Sequence, residues 1–366
     1  MKLSITREDI LKPLQQISGV IERRQSLPVL SNVLVRCQQG TLSLTGTDLE
    51  LELIATTQVN GADDGEITLP ARKFLDICRA LPEGAEIRLE VDGEKARIRS
   101  GRSRFTLATL PASEFPNVEG GQAASTFSLP CEAMKRLIDR TQFAMAQQDV
   151  RYYLNGLMLE LDRRQVRAVA TDGHRLALSE IEADSGVEEV RQVILPRKGV
   201  GELAKLMADG EGEAHFELGN NHMRVIIGNV VFTSKLIDGK FPDYRRVIPE
   251  KGGTEIVCDR ELLRQAFQRA SVLSNEKYRG MRIRLGDNLL TATVHNPEQE
   301  EAEEELEVQY NGEPLEIGFN VAYFLDVLNV IPGEEVVIAL RDANTGCLVT
   351  QKGDTSCQYV IMPMRL

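Results

Sequence analysis

The sequence has few of the features that organise metal sites, disulfide scaffolds or membrane spans. Its six cysteines form no Cys-x-x-Cys pair and have no nearby ligand spacing, so we expect scattered reduced thiols in a cytoplasmic protein. No apolar run approaches the roughly 18 residues that cross a membrane. The first residues, MKLSITREDILKP, reach charged side chains before an apolar run can build, so we expect no secretory signal.

The sequence also lacks the motifs of an enzyme active site or a nucleotide-binding loop. It contains no GxSxG nucleophile elbow, no HExxH pair and no GxxxxGK[ST] phosphate loop. Asp172, His174 and Ser179 lie close together and leave a hydrolase as a weak alternative, but no further basic partner supports a nucleophile. We therefore expect no catalytic residue, no metal site and no cofactor, and any ATP-driven step must come from a partner protein.

The composition is typical of a globular protein with several domains. The 366 residues are 42% hydrophobic and 27% charged, which is enough apolar material for two or three cores. The formal net charge is −12, from 43 basic and 55 acidic side chains, and this disfavours a free-standing nucleic-acid binder. Binding depends on where charges lie rather than on their sum, so the total alone does not decide the class of partner.

The sequence repeats itself three times. A strand–helix segment, a strand ending in a polar turn, a second strand–helix segment and a closing strand pair follow one another in each repeat. The Thr-Asp pairs at 47–48 and 171–172 lie 124 residues apart, and His295-Asn296 follows after another 124. We therefore predict three domains of the same kind, at residues 1–118, 126–246 and 247–366.

Each repeat combines two amphipathic helices with several strands. Apolar residues recur at the spacing i, i+3, i+4, i+7 in five of the six predicted helices, which we place at 7–18, 71–81, 131–145, 197–207, 259–271 and 320–329. The first helix carries Pro13, so we expect it to be kinked or to start late. Strands of alternating polarity, such as 41–51, indicate antiparallel sheets. The predicted fold class is α+β, with two helices covering one sheet face in each repeat.

Positive charge is concentrated on the predicted helices. They carry 14 basic and 9 acidic side chains, although the whole chain is acidic. One explanation is that solvated helix faces are often rich in Lys and Arg. The alternative is that equivalent helices of the three repeats line one concave surface that meets the phosphates of a duplex. Such contacts would position DNA without reading its sequence.

Runs of opposite charge lie in the first and third repeats. Residues 97–104 hold four arginines and no acid, and residues 298–307 hold a run of glutamates. Either run alone is typical of a solvated edge, whereas the two together indicate a head-to-tail contact between two chains. The residues that we place in this contact are Lys73, Arg102, Arg104, Phe105, Leu107, Val272, Leu273, Glu298, Glu300, Glu301 and Glu304.

Long contiguous segments of the chain resemble the bacterial DNA polymerase III beta subunit family, the sliding clamps. They are LSLTGTDLE (42–50), SGRSRF (100–105), QQDVRYYLNG (147–156), ATDGHRLA (170–177), DGKFPDYRRV (238–247), LSNEKYRG (273–280), NPEQEEAEE (296–304) and the terminal VIMPMRL (360–366). The resemblance covers the whole chain. It implies a head-to-tail homodimer of three-domain chains, forming a ring whose twelve helices face the hole.

The resemblance implies a processivity factor that slides on duplex DNA. A closed ring cannot dissociate without opening, so weak phosphate contacts are enough and leave it free to slide. The residues that match DNA-contacting positions of the family are Arg24, Arg72, Gln148, Tyr152 and Tyr153, and we add Arg197 and Lys198 because they begin a basic helix. The alternative for the two tyrosines is ordinary sheet packing.

The resemblance also implies a cleft between the second and third domains that binds short peptides of the clamp loader, polymerases and repair proteins. An apolar groove with flexible methionines suits varied peptides. The matching positions are Leu154, Thr171, Gly173, His174, Arg175, Leu176, Pro242, Arg246, Val247, Tyr278, Asn320, Tyr323, Val360, Met362, Pro363, Met364 and Arg365. The alternative for VIMPMRL is a last core strand. The alternative for the whole protein is a peptide-binding scaffold that never touches DNA.

Overall fold

The computed structural model describes residues 1–22, 27–116, 121–249, 253–274 and 279–365. Within these ranges the chain forms six α-helices and twenty-five strands. The helices are α1 (Arg7–Ile17), α2 (Ala71–Ala80), α3 (Cys131–Asp139), α4 (Arg197–Asp209), α5 (Arg260–Ala270) and α6 (Val321–Val330). Among these described helices, none is both long enough and apolar enough to span a membrane.

The strands follow the order that the repeat predicts, with one strand ahead of every helix. They are β1 (Lys2–Thr6), β2 (Asn32–Gln38), β3 (Thr41–Thr47), β4 (Leu51–Gln58), β5 (Gly65–Pro70), β6 (Glu86–Asp92), β7 (Lys95–Ser100), β8 (Ser103–Ala108), β9 (Ser125–Pro130), β10 (Gly156–Asp162), β11 (Gln165–Thr171), β12 (Arg175–Glu182), β13 (Arg191–Pro196), β14 (Glu213–Leu218), β15 (His222–Ile227), β16 (Val230–Lys235), β17 (Thr254–Asp259), β18 (Gly280–Gly286), β19 (Leu289–His295), β20 (Glu301–Glu307), β21 (Gln309–Tyr310), β22 (Leu315–Asn320), β23 (Glu335–Leu340), β24 (Cys347–Gln351) and β25 (Asp354–Ile361).

Polar side chains at the ends of strands cap the N-termini of three of the helices. The side chains of Thr6, Asp259 and Asn320 accept hydrogen bonds from backbone amides in the first turns of α1, α5 and α6. Such N-caps satisfy amides that have no partner within the helix. The strand–helix segments of the sequence are therefore confirmed as strands that run directly into helices.

Helix α1 differs from its prediction. It begins at Arg7 and continues past Pro13, whose ring is buried, to Ile17. The expected late start is wrong. The apolar face of Ile10, Leu14 and Ile17 is buried on both sides of the proline, and this packing offsets the loss of one backbone hydrogen bond.

The first of two compact units comprises residues 1–134 and 198–236. It contains a four-stranded sheet in the order β1-β6-β7-β8 and an eight-stranded sheet in the order β5-β2-β3-β4-β16-β15-β14-β9. Strand β4 of the first repeat pairs antiparallel with β16 of the second, with Leu51 opposite Ser234 and Ala55 opposite Val230. One ladder of backbone hydrogen bonds therefore continues from one repeat into the next.

The second unit comprises residues 135–197 and 237–366. It contains a nine-stranded sheet in the order β13-β10-β11-β12-β25-β24-β23-β17-β21 and a four-stranded sheet in the order β20-β19-β18-β22. Here β12 of the second repeat pairs with β25 of the third, with Arg175 opposite Ile361 and Ser179 opposite Cys357. The compact units thus follow the sheets, whereas the predicted domain boundaries follow the repeat.

Apolar residues of the helices pack on the sheets. In the second unit Phe324 of α6 lies between Phe267 and Phe319, at ring-centroid distances of 5.4 and 5.1 Å with near-perpendicular planes, and all three rings are fully buried. The six cysteines are free and buried. Burial raises the pKa of Cys78 and Cys258 to about 12, so these thiols stay protonated.

We predict that Phe324→Ala lowers the free energy of unfolding by about 3–5 kcal/mol, because it leaves a cavity between two buried rings. The matched control is Val190→Ala, since Val190 is 57% exposed. Chemical denaturation followed by circular dichroism measures both variants. Equal stability of the two variants would contradict the assignment of Phe324 to the core.

Candidate nucleic-acid interface and peptide cleft

Residues 147–155 form a tight loop that presents three of the candidate DNA contacts. The Asn155 side chain closes this loop, since its Oδ1 accepts the Asp149 amide and its Nδ2 donates to the Asp149 carbonyl, both at 2.9 Å. Gln148 is exposed and has a φ of 56°, in the left-handed region. Tyr152 is 58% exposed. Both side chains are therefore accessible to a ligand.

Tyr153 lies deeper than Tyr152. The two rings meet edge to face, with centroids 5.8 Å apart and planes at 69°. Tyr153 is half-buried and packs against a buried apolar cluster that includes Leu154. The packing alternative therefore applies in part to Tyr153, whereas Tyr152 is a surface residue.

Arg151 ties this loop to the turn that follows β11. Its guanidinium bonds both carboxylate oxygens of Asp149, at 3.0 and 2.8 Å, and also donates to the Asp172 carbonyl at 3.3 Å. Hydrogen bonds from the side chain and backbone of Arg151 lower the pKa of Asp149 to about 2. The carboxylate is therefore ionised at neutral pH and holds Arg151 in place.

The basic residues at helix starts differ in whether their side chains are bonded to other groups of the chain. Within the described part of the chain, Arg72 and Lys73 are exposed on the first turn of α2 and belong to no ion pair. Arg197, the first residue of α4, is exposed and donates to the Met145 carbonyl at 3.1 Å. Arg24 lies outside the described residues.

Lys198, the second residue of α4 and a predicted DNA contact, already has acidic partners within the chain. Its ammonium contacts the Asp48 carboxylate, the Glu22 carboxylate at 2.6 Å and the Val20 carbonyl at 3.2 Å. Burial lowers the pKa of Lys198, but the hydrogen bonds and charges of Asp48 and Glu22 outweigh this effect and leave the pKa raised. Two carboxylates therefore neutralise the positive charge of Lys198.

The residues matching the peptide cleft divide into a buried floor and an exposed rim. Leu154, Leu176 and Val360 are at most 2% exposed and share one apolar cluster with Phe241 and Tyr244. The exposed members are Gly173, His174, Pro242, Arg246, Val247, Met362, Met364 and Arg365, and the half-buried members are Thr171, Arg175, Asn320, Tyr323 and Pro363. Tyr278 lies outside the described residues.

The turn after β11 shapes one side of this rim. Thr171 Oγ1 donates to the Arg175 carbonyl at 2.6 Å, and Asp172 Oδ1 accepts the amides of His174 and Arg175 at 2.9 and 3.0 Å. Gly173 has a φ of 90°, and a Cβ at this position would lie 3.0 Å from the Arg151 guanidinium. Only glycine meets both requirements without strain.

Arg175 is engaged in contacts rather than free. Its side chain is 12% exposed, bonds Asp172 and Asp326, and donates to the Phe143 carbonyl at 2.8 Å. Its guanidinium also stacks on the Tyr323 ring, 4.5 Å from the centroid. This cluster lines a cavity of about 360 Å³ together with Met145, Gln147, His174 and Arg197.

The C-terminal residues after β25 are held by backbone hydrogen bonds. The Met362 amide donates to the His174 carbonyl at 2.9 Å, and the Met364 amide donates to the Gly318 carbonyl at 2.8 Å. Met362 and Met364 are 37% and 40% exposed, whereas Val360 belongs to the core. Val360 therefore fits the core-strand interpretation of VIMPMRL, whereas Met362 and Met364 are accessible and stay candidates for the cleft.

Sequence reasoning missed a buried carboxylate beneath the cleft. Glu160 of β10 is fully buried and accepts hydrogen bonds from Arg167, Gln192, Tyr244 and Arg245, at 2.8, 2.7, 2.9 and 2.6 Å. Burial by itself raises the pKa of Glu160, but these hydrogen bonds and the Arg245 charge outweigh it and leave the pKa lowered. Alternating strand polarity marks Glu160 as exposed, so the sequence carries no signal for this site.

The two strands that carry the candidate dimer contacts lie at sheet edges. β8 is the last strand of β1-β6-β7-β8, and β20 is the first of β20-β19-β18-β22. On β8 and the turn before it, Arg102 and Arg104 are exposed, Phe105 is half-buried and Leu107 is buried. An edge strand presents unpaired amides and carbonyls to which another chain can add.

The candidate contacts of the third repeat lie on β20, on the turn before it and on the short 3-10 helix after α5. Val272 is 77% exposed, Leu273 is half-buried, and Glu298, Glu300 and Glu301 are exposed. Glu304 is half-buried and accepts Arg269 through two hydrogen bonds at 2.8 and 2.6 Å. The charge of Glu304 is therefore already partnered within the chain.

Comparison with known proteins identifies the family. The chain matches the DNA polymerase III beta subunit domains along its length: the N-terminal domain at 1–119, the central domain at 128–243 and the C-terminal domain at 245–365. It is 55% identical to the beta sliding clamp of Pseudomonas putida and 50% identical to that of Escherichia coli, with all of each chain covered.

Solved structures agree with this similarity. A crystal structure of the DNA polymerase sliding clamp from Pseudomonas aeruginosa with ligand superposes with a TM-score of 0.97 at 53% identity, and the clamp from Caulobacter crescentus superposes with 0.96 at 38%. Both comparisons cover all of each chain. The resemblance seen in the sequence motifs is confirmed, and the chain belongs to the DNA polymerase III beta subunit family, the beta sliding clamps, as a non-catalytic processivity subunit of three clamp domains.

Proposed function

We propose that two copies of this chain join head to tail into a closed ring that encircles duplex DNA. The pairing of strands across repeats carries this proposal. In β4·β16 and β12·β25, the strand after the polar turn pairs with the closing strand of the next repeat. The remaining strand after such a turn is β20 of the third repeat, and the remaining closing strand is β8 of the first repeat. A ladder between β20 and β8 of two copies continues the pattern, and two such ladders close a ring of six repeats.

The two strands match in polarity as well as in position. Every second residue of β20, beginning with Ala302, is half-buried, and on β8 Phe105 is half-buried and Leu107 is buried. Residues directly opposite each other in a ladder share a face, so in the proposed ladder the less exposed residues of both strands lie on one face and the exposed Glu303 and Arg104 lie on the other. Opposite charges then meet on the outer face of the joined sheet.

Weak contacts with DNA phosphates are assigned to the helix starts and to the 147–155 loop. Arg72 and Arg197 are exposed cations, and Gln148, Tyr152 and Tyr153 lie on one tight loop. Arg24 is included only because it matches a DNA-contacting position of the family. Because Lys198 is paired with two carboxylates, we assign it first to holding the Asp48 turn. A ring that is retained topologically needs no tighter binding.

The cleft built on Leu154, Leu176 and Val360 is assigned to partner peptides, from the clamp loader, polymerases and repair proteins. Crystal structures of relatives from Pseudomonas aeruginosa and Bartonella birtlesii, 54% and 41% identical to this chain, contain bound griselimycin.

We place the protein in the cytoplasm, where chromosomal replication takes place in bacteria. We propose domain boundaries at 1–118, 126–246 and 247–366, which keep each repeat whole.

Reversing Arg102 and Arg104 to Glu should shift the protein from dimer to monomer, weakening association by at least about tenfold for each charge reversed. Sedimentation velocity over a dilution series measures this change. Arg88→Glu is the control, because Arg88 lies on β6, two strands away from the edge strand β8. Unchanged dimer affinity in the double variant would reject the proposed interface.

Arg72→Ala should weaken binding to a short blunt duplex at low ionic strength for all sequences alike. Loss of one phosphate contact lowers the slope of log K against log salt by about 0.9. Fluorescence anisotropy measures the slope, and Arg36→Ala is the control because Arg36 lies on β2 and is paired with Glu66. A scaffold that never meets DNA would show no salt-dependent binding in any variant.

Removal of residues 362–366 should abolish binding of griselimycin while leaving the dimer intact. This deletion takes away two half-exposed methionines of the rim without touching the core residue Val360. Isothermal titration calorimetry and sedimentation report the two properties separately. Undiminished griselimycin affinity in the truncated dimer would refute the cleft assignment.

A further inference from the structure

One side of the peptide cleft is a segment with few backbone ties. Residues 242–247 carry three rim residues, Pro242, Arg246 and Val247. The backbone hydrogen bonds that their amides donate are local, from Arg246 to the Asp243 carbonyl at 3.3 Å and from Val247 to the Tyr244 carbonyl at 3.0 Å. Side chains must therefore hold this segment, which we call the rim segment, against the sheet.

Tyr244 is the side chain that joins the rim segment to the cleft floor. It is 3% exposed, and its ring belongs to the same apolar cluster as Leu154, Leu176 and Val360. Its hydroxyl donates to Glu160 Oε1 at 2.9 Å. Burial and the neighbouring Glu160 carboxylate raise the pKa of Tyr244 to about 12, so the hydroxyl keeps its proton.

Arg245 supplies a second tie to the same carboxylate. Its Nη2 donates to Glu160 Oε1 at 2.6 Å, and its guanidinium lies 4.8 Å from the centroid of the Tyr244 ring. Two successive residues of the rim segment thus converge on one oxygen atom. Charge-assisted hydrogen bonds of this kind are about twice as strong as neutral ones.

The sheet in turn holds Glu160 rigidly. Gln192 of β13 and Arg167 of β11 lie directly opposite Glu160 in the two flanking ladders. Both donate to the carboxylate, at 2.7 and 2.8 Å. Residues of three neighbouring strands therefore fix the carboxylate independently of the rim segment. Removing one hydrogen-bond partner from a buried charge of this kind is strongly destabilising.

We propose that Glu160 is a positioning residue for the peptide cleft, holding the rim segment in its binding-competent place through Tyr244 and Arg245. This inference rests on the proposed cleft. Because Glu160 is fully buried, it cannot touch a ligand and acts only through these two residues. If the rim segment is in place only part of the time, the apparent affinity falls by that fraction. The loss then lies in the association rate, since the bound complex keeps all its contacts.

Tyr244→Phe tests the proposal, because it keeps the ring in the cluster and removes only the hydroxyl. We expect fluorescently labelled griselimycin to associate about tenfold more slowly in stopped flow, with a dissociation rate close to that of the unaltered protein. Glu160→Gln should have the same effect. Val247→Ala, which shortens an exposed rim residue, should instead raise the dissociation rate.

Matched controls separate positioning from general loss of stability. Tyr310→Phe removes another buried hydroxyl, which donates to the Glu313 carbonyl at 2.6 Å in the third repeat. Glu180→Gln removes a carboxylate that bonds Arg167 at 2.6 Å, on the far side of the network from the rim segment. Both controls should leave the association rate unchanged. Equal slowing in Tyr310→Phe and Tyr244→Phe would overturn the proposal.

Amide hydrogen exchange provides a measurement that needs no ligand. The amides of Arg246 and Val247 should exchange faster in Tyr244→Phe and Glu160→Gln than in the two controls. Unchanged exchange together with an unchanged association rate would reject the role of Glu160. If griselimycin binds the protein truncated after Ile361 as well as the full chain, the cleft assignment fails instead, and exchange alone decides whether Glu160 holds the segment.

Discussion

Antiparallel pairing between successive repeats is the constraint on which the rest of this structure depends. Each strand edge carries backbone amides and carbonyls that need partners, and the chain meets this need by running one repeat's sheet into the next, at β4·β16 and β12·β25. The pattern uses two kinds of strand, and one of each kind, β20 and β8, has no such partner among the residues that the structure describes. The pairing rule within the chain therefore supports the proposed association of two copies through β20 and β8.

The distribution of cations follows from this architecture. A closed ring stays on DNA because it cannot dissociate without opening, so it needs only weak phosphate contacts. Other cations can therefore form ion pairs within the chain. Lys198 is paired with Asp48 and Glu22, and the half-buried Arg175 is paired with Asp172 and Asp326. The overall charge of −12 is compatible with a DNA-encircling protein because binding depends on where cations lie, and Arg72 and Arg197 are exposed at helix starts.

Features that depend on local pattern were predictable from the sequence, and features that depend on distant contacts were not. Five of the six helices lie within two residues of their predicted bounds, because amphipathic spacing and capping are local, whereas α3 ends at Asp139, six residues before its predicted end. The continuous path of α1 through Pro13 depends on tertiary packing. The Glu160 site brings together residues 7, 32 and 84 positions away, so no window of sequence contains it. The pairing of Lys198 with Asp48 spans 150 positions and was missed for the same reason.

The polar turn of the repeat shows how one local structure acquires two uses. Asp48 and Asp172 each accept the amides two and three residues further on, so both turns have the same backbone form. The residue after each Asp has a positive φ, and it is Leu49 in one turn and Gly173 in the other. Leu49 bears the strain of a Cβ in this conformation. Gly173 has no Cβ, and the Arg151 guanidinium occupies the space beside it. The second turn is thereby joined to the 147–155 loop, so one glycine places the proposed DNA loop and the rim of the proposed cleft side by side.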